Sequence, residues 1–292
     1  GQAGSPVVSQ YRQPPLYYIL GALVLTPVAD DSAATYDPNP FIFANGEQGG
    51  YNVAVHPKQG FPPQGTALAV HLLRALSGLI GLLGLVATYF TCLLIFRDPR
   101  LAAAGMAVNA FVPQYVFSSA VVNNDILVGA LGSWCILFCV HFYTQRSGLW
   151  TLLLAMLAAT LAILAKYTGI VLLPMVAIAV IYYLVRSGRE GWAPFGKAVA
   201  GIAGIALVTA LPVLVWLWRN QTIYGRIIVR YPVLETMMLN GAAQSLFNGP
   251  LNPLRSGQFA FITIWGLFGN DNLSLPAWIL VVLGIEIGRA HV

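Results

Sequence analysis

The chain has 292 residues, 58% of them hydrophobic and only 9% charged, and its mean hydropathy is +0.73. A soluble globular domain carries roughly 25% charged residues, so this composition excludes one and points to a lipid bilayer as the solvent. The net charge of +5 comes from basic residues set singly or in pairs between apolar runs, which excludes a nucleic-acid surface and fits positive-inside topology.

Taken in chain order, residues 1 to 66 read as an external loop, rich in Pro, Gly and Asn after an apolar segment at 14 to 29. Pro14, Pro15, Gly21 and Pro27 interrupt that segment, and a full crossing would put the following loop on the wrong side for the next helix. It is therefore expected to lie in, or re-enter, the outer leaflet. Spans of about 20 residues are then expected at 67–96, 101–120 and 126–142. The run from 150 to 185 is too long for one span and is punctuated at Lys166-Tyr167-Thr168-Gly169, so it divides into 150–165 and 168–185. A further span at 197–218 ends in an aromatic belt, an external loop covers 219–274, and a partial span occupies 275–285. The expected fold class is all-α, a polytopic transmembrane helix bundle forming a single domain over 1–285.

The basic turns at 97–100, 144–149 and 186–196 fall on one side by alternation, and that side is expected to be cytoplasmic. The opposite side then gathers Asn123-Asn124-Asp125, Lys166, Arg219 and the segment before residue 67. The chain opens at Gly1 with no signal-peptide pattern, so its natural start is expected upstream; residues 286 to 292 break the apolar pattern and read as a non-native tail. Cys92, Cys135 and Cys139 lie in apolar runs, where a thiol packs as a small hydrophobe. His56, His71, His141 and His291 show no ligand spacing, so no protein-held metal of the zinc type is expected.

Several short strings carry a resemblance. They are Gln13-Pro14-Pro15-Leu16-Tyr17-Tyr18 (with Arg12 where His is usual), Val122-Asn123-Asn124-Asp125, Lys166-Tyr167-Thr168-Gly169, Arg219-Asn220 with Tyr224-Gly225, Trp265-Gly266-Leu267-Phe268-Gly269 and Leu275-Pro276. Their order resembles the GT-C superfamily of membrane glycosyltransferases, and most closely the domain of unknown function 2142 family. The resemblance implies kinship with protein mannosyltransferases and lipid A aminoarabinose transferases. Such enzymes move a sugar from a polyprenyl-phosphate carrier to a lipid, glycan or protein acceptor at the non-cytoplasmic face, here of a bacterial or archaeal plasma membrane. It also implies a catalytic carboxylate in the first external loop, a place that lies upstream of Gly1, so the chain reads as a fragment. No organic cofactor is implied, although some relatives use a divalent cation.

That chemistry needs a carboxylate, cations for the leaving phosphate and an apolar groove for the lipid tail. Lys166, Arg219, Arg226 and Arg230 are the candidate phosphate partners, with interfacial snorkelling as the plain alternative. Lys166 is the foremost, because an ionisable group at a helix break near the membrane interior is by default functional. Asp125 suits either an N-cap or a substrate contact beside Asn124. Gln13, Pro14, Tyr17 and Tyr18 offer a rigid entry and two rings for a sugar or the headgroup level. Arg74, one turn from His71, reaches the external cavity or anchors its helix end. A flippase of lipid-linked glycans and a non-catalytic assembly subunit are the competing functions.

Overall fold

The computed structural model describes residues 13–28, 61–145 and 148–228, two short strand pairs, and isolated residues between 261 and 282. Arg12, His56, Arg230, Gly266, Gly269, Leu275, Pro276 and the tail 286–292, all singled out above, lie outside the described residues. Apart from two-residue ladders pairing Asp37–Pro38 with Ala54–Val55 and Leu267–Phe268 with Leu273–Ser274, the described architecture is helical. The helices are α1 (Leu16–Leu25), α2 (Gly65–Phe96), α3 (Pro99–Ala110), α4 (Pro113–Ala120), α5 (Asp125–Gln145), α6 (Leu149–Ala165), α7 (Leu173–Glu190) and α8 (Trp192–Tyr224). A 3-10 turn, Tyr167–Leu172, leads into α7.

Among the described residues, four helices are long and apolar enough to cross a membrane, or five spans if α3 and α4 count as one bent span. The chain is therefore an integral membrane protein built as an all-α bundle. Its punctuation is chemical. α2 stops at Arg97, whose left-handed backbone (φ 56°) lets its N–H reach the Leu93 carbonyl. Asp98 then caps α3, accepting from the Arg100 N–H at 2.7 Å, with Pro99 at the first helical position. Gly191, at φ 123°, makes the tight α7–α8 turn that a residue with a Cβ adopts only under strain.

The stretch 101 to 120, read from sequence as one span, is two helices meeting at 67°. The reason is Pro113 at the start of α4: it lacks an N–H, and its ring excludes the carbonyl four residues back, so α3 ends before it. Both pieces run back along α2. Gly105 lies against Cys92, Asn109 donates to the Thr88 hydroxyl at 3.0 Å, and the Tyr115 hydroxyl donates to the Gly81 carbonyl. Without side chains at Gly81 and Gly84, Ser119, Tyr115 and Ala130 sit directly on the α2 backbone.

α6 is the central helix. Its alanines at 155, 158, 159 and 162 are buried, so α5, α7 and α8 approach closely around it. One core joins Cys135, Cys139, Phe142, Leu152 and Val176; a second joins Tyr17, Ile80, Ile126, Leu127 and Ala165. The cysteines there are free thiols packed as hydrophobes. α1 lies beside the start of α2 in the opposite direction, Tyr17 level with Ser77 and Gly21 against Leu73. These pairings carry the start of α2, the turn before α5, the end of α6 and the end of α8 to one end of the bundle.

Candidate functional site

At that end a cavity of about 580 Å³ opens, lined by Gln13, Tyr17, Tyr18, Leu73, Asn123 and Lys166 among others. Four elements build it: α1 along its length, the first turns of α2, the 122–124 turn and the exit of α6. Its polar groups converge on one corner, where Lys166 Nζ donates to Asp125 Oδ1 at 2.5 Å. The Lys166 side chain is 27% and the Asp125 side chain 44% exposed, so the pair stands at the rim.

The 122–124 turn sets this corner by local hydrogen bonding. Asn123 Oδ1 accepts the Asp125 N–H at 3.1 Å, and Asn123 Nδ2 donates to Asp125 Oδ2 at 2.9 Å. The helix-starting bond therefore comes from Asn123, and Asp125 is the first residue of α5 rather than its cap. Its carboxylate is thereby turned to Lys166, with both oxygens engaged. Asn124, buried, donates to the Ala165 carbonyl at 3.1 Å and ties the turn to the end of α6. That bond satisfies one of the carbonyls a helix C-terminus leaves open.

Lys166 projects from a break. Its N–H still bonds the Ala162 carbonyl, but its backbone is extended (φ −161°, ψ 143°), and the 3-10 turn starts at the next residue. Gly169 makes the break possible: a Cβ there would stand 2.6 Å from the Ile163 nitrogen. Tyr167 leaves on the other side and accepts hydrogen bonds from Trp216 Nε1 at 3.0 Å and Asn220 Nδ2 at 3.1 Å.

Of the residues singled out from sequence, the cavity gathers Gln13, Tyr17, Tyr18, Asn124 and Lys166, with Asp125 bonded to the last. Tyr17 is 3% exposed and its hydroxyl shares a hydrogen bond with Ser77 at 2.9 Å, so its ring forms a wall. Tyr18, edge-on to Tyr17 and 39% exposed, offers a more open ring. Pro14 is fully buried beneath them. Arg74 is not among the lining residues; Leu73 takes the cavity-facing position on that turn. Arg219 is also elsewhere, its guanidinium 4.7 Å from the Trp216 ring centroid and 3.4 Å from Asn220 Oδ1. Asn123, Ser77, Tyr167, Trp216 and Asn220 were not chosen from sequence as site residues. The available signal was polar groups inside or abutting apolar runs, which are costly unless bonded.

Among the described residues no three of His, Cys, Asp and Glu gather to hold a metal. The corner does not fit a divalent cation, because Asp125 is its one carboxylate with described side-chain placement, both oxygens are engaged, and an ammonium stands 2.5 Å away.

A family model described as dolichyl-phosphate-mannose-protein mannosyltransferase matches residues 66–216, just over half of the chain. The match takes in Asp125, Lys166 and all but the last turns of α8. No curated protein and no solved structure matches the chain.

Proposed function

Because the chain belongs to the dolichyl-phosphate-mannose-protein mannosyltransferase family, we propose that it serves a membrane glycosyltransferase taking its sugar from a polyprenyl-phosphate carrier. The observation that carries this reading is the Lys166–Asp125 pair at the rim of a largely apolar cavity, with the rings of Tyr17 and Tyr18 in its wall, at the end of the bundle. The carrier phosphate leaves as a dianionic group, and a cation held at the cavity wall stabilises the charge that develops on it. Lys166 is that cation. Asp125 directs it, and Asn123 holds Asp125.

Gln13, Asn123 and Asn124 supply hydrogen bonds for sugar hydroxyls, and Tyr18 a ring face on which a pyranose stacks. Asp125 is an orienting group and not the base, since both of its oxygens already have partners. The base that takes the acceptor's proton is a carboxylate outside the described residues, in the first external loop by the resemblance stated above. Arg219 and Arg74 stand away from this cavity and meet lipid headgroups at the membrane surface. Within the superfamily, the ordered strings support kinship with the domain of unknown function 2142 family. The basic turns, carrying Arg97, Arg100, Arg186, Arg189 and Lys197, face the cytoplasm, so the cavity opens outside.

A second reading draws on the two interrupted helices, at Pro113 and at Lys166, since broken helices mark the binding sites of transporters. In that case the same cavity passes a lipid-linked glycan across the membrane. Full-length protein in proteoliposomes decides between them. Radiolabel moving from a polyprenyl-phosphate sugar to an acceptor, and lost in Lys166→Met, supports the transferase; translocation of the intact carrier without transfer overturns it.

A further inference from the structure

Lys166 and Tyr167 are adjacent, yet their side chains anchor to different helices. Lys166 has extended backbone, in which successive side chains diverge. The ammonium goes to Asp125 on α5, and the phenol goes to α8. There the Tyr167 oxygen accepts from both Trp216 Nε1 and Asn220 Nδ2. A phenolic oxygen has two lone pairs, and both are filled.

Asn220 is 0% exposed, and the same amide nitrogen also donates to the Ile227 carbonyl at 3.3 Å. Turning Tyr167 away would take one of two acceptors from the buried Asn220 amide and the acceptor from the half-buried Trp216 N–H, and an unmade bond at a buried group costs its desolvation. Gly169 completes the anchorage by lying against the α6 backbone, where a Cβ would stand 2.6 Å from the Ile163 nitrogen. The short segment from 166 to 169 is thus fixed to α8 through Tyr167, to α6 through Gly169 and to α5 through the ion pair.

A lysine ammonium rides on a flexible four-carbon stem. Its position at the cavity rim therefore depends on where the Lys166 Cα is held. We infer that Tyr167, held by Trp216 and Asn220, is a positioning residue that fixes Lys166 at the cavity rim for the carrier phosphate. The role of the phosphate rests on the function proposed above; the role of Tyr167 in holding Lys166 does not. A residue that merely clamps α8 would change the amount of folded protein and leave Lys166 unaltered in the molecules that do fold.

The test uses the full chain in detergent micelles and reads Lys166 directly, as its rate of acylation by a water-soluble succinimidyl ester, followed by peptide mass spectrometry. Tyr167→Phe and Trp216→Phe each raise that rate about fivefold, and the double variant exceeds neither, because both remove one shared restraint. Rates within twofold of the wild type in both single variants, or effects that multiply in the double, overturn the positioning role. Trp216→Phe removes the indole N–H while keeping an aromatic ring, and carries the comparison where Tyr167→Phe does not fold. A second arm adds a polyprenyl monophosphate. It protects Lys166 in the wild type, and the concentration for half protection rises about tenfold in Tyr167→Phe, the loss expected for one misplaced charge-assisted contact. A wild-type Lys166 left unprotected refutes the carrier reading while leaving the acylation comparison to decide on Tyr167.

Discussion

Lys166 and Asp125 are 41 positions apart in sequence, yet their charged atoms meet at 2.5 Å where the end of α6 passes the start of α5. The contact joins two antiparallel helices and holds the ammonium at the rim of the cavity. Partly exposed pairs of this kind stabilise a fold by at most about 1 kcal/mol. Replacing Lys166 by Met is therefore expected to leave the thermal midpoint within a few degrees of the wild type while weakening carrier binding about tenfold or more. Equilibrium binding of a polyprenyl monophosphate, measured beside a melting curve in the same detergent, checks both halves.

Tyr17 and Ser77 hold α1 against α2 through one hydrogen bond at 2.9 Å between buried groups. Either Tyr17→Phe or Ser77→Ala leaves a polar atom without its partner and is expected to cost about 1–2 kcal/mol. The double variant removes both polar atoms, so its cost falls short of the sum of the two single costs. A denaturation cycle over the four proteins measures the difference; strict additivity would show that the bond contributes nothing.

Glycines at two positions in the bundle face opposite fates. A Cβ on Gly169 would stand 2.6 Å from the Ile163 nitrogen, whereas one on Gly129 meets nothing within 4 Å. Gly169→Ala should accordingly lower stability by about 1–3 kcal/mol through overpacking. Gly129→Ala should be neutral or stabilise by up to about 1 kcal/mol, through helix propensity alone. Melting curves of the two variants in one detergent compare them directly.

Asn220 is buried at the end of α8, with its amide shared between the Tyr167 hydroxyl and the Ile227 carbonyl. Asn220→Leu keeps the branched shape with a bulkier side chain, takes the donor from the Ile227 carbonyl and leaves the Tyr167 oxygen with Trp216 alone. A loss of about 2–3 kcal/mol is expected, with protease sensitivity rising first around residue 225. Cleavage that begins elsewhere would place the weak point outside this network.

Much of the bundle was legible because apolar runs of membrane-spanning length leave few alternatives. The runs from 67 to 96 and from 126 to 142 correspond to the described helices α2 and α5. The break at Lys166 was also legible, from a charge and a glycine interrupting an apolar run. The 67° bend before Pro113 was not, since a proline in an apolar run is compatible with a kinked single span as well as with two helices. In the site, residue type pointed to Lys166 and Asp125 separately. Their pairing depends on how α5 and α6 pack, which periodicity does not encode. Asn123 was passed over because its two bonds to Asp125 are local geometry of the turn, and Tyr167 because its partners lie 49 and 53 positions away on α8.

The bend between α3 and α4 also bears on how the protein enters the bilayer. At 1.5 Å per residue, the 12 residues of α3 and the 8 of α4 reach about 18 and 12 Å, and a hydrocarbon core is about 30 Å thick. Neither piece can partition as an independent stop-transfer segment, and the carbonyls freed at the elbow need protein neighbours once they are at depth. Its anchors, Gly81, Gly84, Thr88 and Cys92, all belong to α2, the helix synthesised just before. Entry of α3 and α4 into the bilayer is therefore expected to depend on α2, which offers both pieces their contacts.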